Sequence, residues 1–176
     1  MADWINDFQE ITTIINQIST EYPCSNPFKK NEKLIVKALY VVSPLEFYVI
    51  KQAQIRTLHE LERITSQWGE KVHHQTMMDS QCRQDQACLI RFKNVVARAK
   101  IVHGGIHDLQ VFLIDYGRSM FIKWSDCFAI PHHIANFAPP LAHYCTLNDA
   151  DNCAFDNASV QEFCRKLLSA EHFLLR

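Results

Sequence analysis

Glycine is scarce in this chain, with four in 176 residues, and no stretch is rich in Gly and Ser or otherwise of low complexity. A flexible linker is therefore not expected, and any two lobes should be packed on each other. No apolar run approaches the roughly 18 to 20 residues that span a bilayer, and no basic segment followed by an apolar one opens the chain, so nothing directs it to a membrane. Net charge is lacking as well. The 18 basic and 19 acidic residues sum to −1, which disfavours a surface built to neutralise nucleic-acid phosphates. Seven cysteines (Cys24, Cys82, Cys88, Cys127, Cys145, Cys153, Cys164) are odd in number, scattered and never arranged as C-x-x-C, and they read as reduced thiols of a cytosolic protein. No internal repeat is found. What is present is 48% hydrophobic residues, ample for one domain or two small interlocked ones.

Hydrophobic periodicity divides the chain. Trp4, Phe8, Ile11, Ile15 and Ile18 stand three and four apart with polar residues between, which predicts an amphipathic helix over 4–19 with Asp3 as its N-cap. Residues 33–51, rich in Val, Ile, Leu, Tyr and Phe and interrupted at Ser43-Pro44, predict a hairpin. Ile55, Leu58, Leu61, Ile64 and Trp68 recur at helical spacing, with Gly69 as the expected stop, and polar residues 71–86 read as a loop. Strands are expected at 87–92, 96–103, 109–114 and 119–123, with Gly104-Gly105 and Tyr116-Gly117 at the turns, short enough to curl into a small barrel. Pro131, Pro139 and Pro140 end that region, and 141–148 reads as extended. Val160, Phe163, Cys164, Leu167 and Leu168 mark a last helix with Ser159 near its start, followed by a possible strand at 173–175.

The run Val96-Ala97-Arg98-Ala99-Lys100-Ile101-Val102 followed by Val111-Phe112-Leu113-Ile114-Asp115-Tyr116-Gly117 resembles a Tudor domain. Upstream, Val41-Val42-Ser43-Pro44-Leu45-Glu46-Phe47-Tyr48-Val49 and the helical stretch after it resemble the first half of the staphylococcal-nuclease-like (SN-like) domain that wraps the barrel in extended Tudor proteins. The implied fold is α+β, mainly β: a five-stranded Tudor barrel packed on an SN-like, OB-type lobe with connecting helices. The expected division is an N-terminal helix and linker at 1–32, the first part of the SN-like lobe at 33–85, the barrel at 86–133 and the second part of the lobe at 134–176. The chain reads as part of a longer protein.

Methylarginine-reading Tudor barrels hold a guanidinium among aromatic rings by cation–π attraction, with a side-chain amide fixing its orientation. Carried over residue by residue, the first ring of that cage falls on Phe92 and the last on Tyr116. The "W-Y-R-A" segment of the family is Val96-Ala97-Arg98-Ala99 here, so Ala97 stands where a second ring is expected; a one-residue shift would put Val96 there, also not aromatic. Leu113 replaces a third ring, and Arg118 replaces the amide, bringing a fixed positive charge toward a site meant for a cation. Two readings remain open: a remodelled pocket for unmodified arginine or an apolar side chain, or a lost pocket with binding on another face. Phe92 and Tyr116 also fit a plain barrel core or rim. Arg98 and Asp115 are expected to meet as part of the scaffold, with Gly117 at the turn.

The resemblance implies a non-catalytic scaffold for the arginine-rich N-terminal tail of a PIWI-clade Argonaute in the germline piRNA pathway, in cytoplasmic, perinuclear germ granules (nuage). The lobe expected at 33–70 and 141–176 carries no cluster of acidic metal ligands and arginines such as nuclease chemistry needs. His73-His74 and His132-His133 are adjacent rather than three or four apart as helical metal ligands are, so no metal and no cofactor is expected. Single-stranded RNA binding ranks below peptide binding, because basic residues such as Lys29, Lys30, Lys33, Lys37, Arg91, Lys93, Arg98 and Lys100 cluster only weakly. A structural or self-associating module, joined through the N-terminal helix, is the other alternative.

Overall fold

A computed structural model describes residues 18–24, 28, 29, 32–71, 77, 83–148 and 155–175. Their elements in chain order are β1 (Ile18–Ser19), β2 (Leu34–Ser43), β3 (Glu46–Lys51), α1 (Ile55–Lys71), β4 (Ala87–Phe92), β5 (Val95–Gly104), β6 (Asp108–Leu113), β7 (Arg118–Lys123), β8 (Cys127–Pro131), α2 (His132–Ala135), β9 (His143–Cys145), α3 (Asn157–Ser169) and β10 (Phe173–Leu175). They form two antiparallel sheets, one in the order β1-β8-β4-β5-β6-β7 and one in the order β10-β2-β3-β9. The expected mainly β fold is therefore present, with its meander intact.

The first sheet is left open. A 3-10 turn at Trp124–Asp126 carries the chain from β7 to β8, which pairs with β4 rather than with β7. The free side of β8 is taken by β1, and the Ala87 amide donates to the Thr20 carbonyl at 2.9 Å. Tyr22 then plunges inward: its Oη lies 2.8 Å from the Cys88 carbonyl and 2.9 Å from that of Ala99, one proton serving two acceptors. Of the helix expected over 4–19, all but the last two residues lie outside the described ones. Ile18 and Ser19 are strand, because the open edge of β8 offers backbone partners that a helix end would leave unused.

Each sheet buries one face of its own. Inside the first, Cys88, Ile90, Ala97, Ala99, Ile101, Leu109, Val111, Ile122 and Cys127 pack together. Its other face, with Leu89, Val96, Phe128 and Ile130, is covered by the stripe of α1 (Leu58, Leu61, with Ile64 and Trp68) and by Ile134 and Ala135 of α2. The second sheet packs Val36, Phe47 and Val49 against Phe163 and Leu167 of α3 and Phe173 of β10. Ile50 of β3 joins the cluster under α1, so this helix is wedged between the two sheets and fixes them to each other.

Two boundary expectations need correction. Helix α1 does not stop at Gly69 but runs to Lys71; the glycine is there because a Cβ would overlap Cγ2 of Val96, so the missing side chain serves close packing of helix on strand. Helix α3 is capped by Asp156, whose carboxylate accepts from the Ser159 amide at 2.8 Å, three residues ahead of the serine expected near the start. The second sheet draws β2 and β3 from one side of the meander and β9 and β10 from the other. Its hairpin, the extended stretch after Leu141 and the strand at 173–175 all lie where the periodicity put them.

Candidate functional site

The turn between β6 and β7 is built to present one ring. Leu113 accepts the amides of Tyr116 (3.2 Å) and Gly117 (2.9 Å), and Gly117 sits at φ +70°, where a side chain is strained. Beneath the turn, Arg98 and Asp115 are both fully buried and meet as a two-pronged ion pair, Nε to Oδ2 at 2.9 Å and Nη2 to Oδ1 at 2.7 Å. The contact expected between them is therefore present. The remaining guanidinium hydrogens go to the carbonyls of Ile134 (3.4 Å), Ala135 (3.1 Å), Ala138 (2.6 Å) and Pro139 (3.3 Å), and the Leu141 amide donates to Asp115 at 3.2 Å. Burial pushes the Asp115 carboxyl upward, and the Arg98 bonds pull it back. The pair so clamps the turn onto the segment that leaves the first sheet.

Tyr116, the residue after the clamp, packs against both clusters of the first sheet and donates its Oη–H to Oε1 of Glu62 on α1 at 2.7 Å. Burial and this bond push its phenol well above the ordinary tyrosine range, so it stays protonated and its ring is held from both ends. Ala97 and Leu113 lie in the same interior cluster. Phe92 pairs with Val95, one inward-facing step beyond the Ile90–Ala97 pair, and stands 42% exposed at the rim with Lys93 Nζ 5.4 Å from its ring. Val96 faces the opposite way, under α1, which leaves Ala97 as the residue on the interior side.

Register thus puts Phe92, Ala97, Leu113 and Tyr116 on one face at one end of the sheet: two rings and an apolar wall. Arg118 does not join them. It is the cross-strand partner of Leu113, yet its guanidinium turns to the second sheet and lies 5.8 Å from the Tyr40 ring centre. Glu62 was not singled out by sequence reasoning, although it stands four residues after Leu58 at the margin of the helical stripe, where a side chain can reach the neighbouring sheet. Among the described residues no three His, Cys, Asp or Glu side chains gather as metal ligands, and no helix is long and apolar enough to cross a membrane.

Comparison with known proteins places this arrangement. The Tudor domain family model matches residues 28–149. No curated protein sequence matches the chain. Among solved structures, the third extended Tudor domain of mouse TDRD1, in complex with a MILI peptide containing dimethylarginine, superposes with a TM-score of 0.75 at 16% identity, over 89% of this chain and 80% of that one. The human TDRD1 extended Tudor domain, in complex with a symmetrically dimethylated peptide, gives 0.72 at 15%, over 89% and 78%. A Tudor complex with symmetrically dimethylated Aubergine gives 0.67 at 20%, over 82% and 84%.

Proposed function

Because the chain belongs to the Tudor domain family, we propose that it is a non-catalytic module that binds an arginine-containing, flexible segment of a partner protein at the face formed by Phe92, Ala97, Leu113 and Tyr116. The partner we favour is the arginine-rich N-terminal tail of a PIWI-clade Argonaute, in the setting of piRNA biogenesis and nuage. That preference draws on the solved relatives, whose bound peptides come from MILI and Aubergine. A segment of this kind loses chain entropy on docking, which keeps its affinity near the micromolar range, about −8 kcal/mol.

The observation that carries the reading is the Tyr116–Glu62 bond at 2.7 Å. A cage of four rings gains by enclosing methyl groups. Here Ala97 and Leu113 stand in place of two of the rings, so enclosure contributes less, while a carboxylate at the edge of the remaining ring adds attraction for any guanidinium. An unmethylated arginine keeps all five N–H donors for such a carboxylate, so binding is expected to be independent of methylation or to favour the unmodified side chain.

Calorimetric titration with one arginine-rich Argonaute tail peptide, unmethylated and symmetrically dimethylated, tests this. Equal affinity, or tighter binding of the unmethylated form, lost in Tyr116→Ala and weakened in Glu62→Gln, supports the proposal. Clear preference for the dimethylated peptide refutes the specificity, and silence for both refutes the pocket.

A further inference from the structure

A second aromatic surface lies where the two sheets meet, away from Phe92. Tyr48 on β3 lies against Gly117, so closely that a Cβ there would fall on its ring. The Tyr48 ring centre is 5.6 Å from that of Phe112 and 5.6 Å from that of Tyr144. Tyr40 and Tyr144 are the cross-strand partners of Tyr48 on either side, so all three tyrosines stand on one face of the second sheet. Tyr144 is 59% exposed, and its Oη donates to the Leu45 carbonyl at 2.9 Å, which steadies the ring at the surface. Glu46 shares that face two residues before Tyr48; burial first, and then the Glu46 charge, raise the Tyr48 phenol.

One guanidinium already rests there. Arg118 leaves the interior face of its own sheet and settles over Tyr40. Partly exposed tyrosines beside a carboxylate are the chemistry that attracts a planar cation, and the chain's own arginine has found it. We propose that this face is a second guanidinium-binding site, taking another arginine of the same partner segment, and that Arg118 occupies it in the free protein as an internal competitor. The inference rests on the arginine-segment reading above and adds a second contact and a means of tuning it. Two sites on one peptide gain by effective concentration, so a segment with two suitably spaced arginines would outbind one with a single arginine.

The test is a set of titrations with two unmethylated peptides, one carrying a single arginine and one carrying two a few residues apart, against wild type, Arg118→Gln, Tyr40→Leu, the double variant and Tyr116→Ala. A cation–π contact at an exposed site corresponds to about a two- to fivefold change in affinity. The two-arginine peptide should bind about that much tighter to Arg118→Gln and about that much weaker to Tyr40→Leu. In the double variant the gain from removing Arg118 should vanish, because the ring it vacates is gone. A gain that survives in the double variant means only that a like charge was removed, and overturns the proposal. So does an unchanged affinity in Tyr40→Leu while Tyr116→Ala abolishes binding of the single-arginine peptide, which leaves the first pocket standing. No binding of either peptide to any variant refutes both readings, and displacement of the peptide by a single-stranded oligonucleotide in a Tyr40-dependent manner would make the face a base-stacking surface instead.

Discussion

Replacing Arg98 by methionine should remove a large share of this fold's stability, and the structure gives the size. The variant keeps the length of the side chain and deletes every hydrogen bond it makes. Asp115, fully buried, would be left with the Leu141 amide at 3.2 Å as its remaining partner, and an orphaned buried charge of this kind costs about 3–5 kcal/mol. The carbonyls of Ala135, Ala138 and Pro139 lose donors too, at roughly 1 kcal/mol or more each where water cannot reach. Against a total of about 5–15 kcal/mol for a domain, the variant should be marginal at best in urea titrations followed by circular dichroism. A sign test separates this account from simple loss of packing. Without the guanidinium, burial alone acts on Asp115 and raises its folded pKa above the unfolded value, so the folded state binds more protons. The variant's stability should then be greatest at low pH and fall as pH rises through the folded pKa. Adding Asp115→Leu should recover most of the loss and not all of it, since the carbonyls stay unpaired. A cost under about 1 kcal/mol for Arg98→Met, or a double variant no more stable than the single, would refute the reasoning.

Gly117→Ala should cost about 2–4 kcal/mol, from a positive φ and from a Cβ driven into Tyr48, read as a drop in the urea midpoint together with weaker peptide binding. Tyr22→Phe keeps the ring and removes one shared proton from the Cys88 and Ala99 carbonyls, which predicts a loss of about 0.5–1.5 kcal/mol in the same titration. His143 lies half-buried with its ring 4.6 Å from that of Phe28, and burial, then the nearby Lys51 charge, lower its pKa. The unfolded chain therefore takes up its proton first as pH falls, and stability should decline from about pH 6.5 downward until the folded pKa is passed; His143→Gln should flatten that slope.

Much of the fold was legible because it follows local rules. Alternation along 87–123, the breaks at Ser43-Pro44 and Gly104-Gly105 and the stripe from Ile55 to Trp68 each depend on residues close in sequence, and each became the element they indicated. The pairing of Arg98 with Asp115 was legible for another reason. Two opposite charges set within apolar strands have few places to go except to each other. The motif also named the end of the sheet where Phe92 and Tyr116 stand.

What could not be read are contacts across the two sheets. Glu62 reaches Tyr116 across 54 residues, and Arg118 reaches Tyr40 across the junction of the two sheets. Neither partner carries a spacing that announces the other. The role of Gly69 was misjudged on the same ground, since a glycine near a helix end looks like a stop until Val96 is seen against it. The sequence by itself determined the strands, the helices and the clamp under the turn, because periodicity and buried charge act within a segment or between unavoidable partners. Only the tertiary structure decided which way Arg118 points and which carboxylate holds Tyr116, because a side chain's final contact is chosen among neighbours that exist only once the sheets have packed.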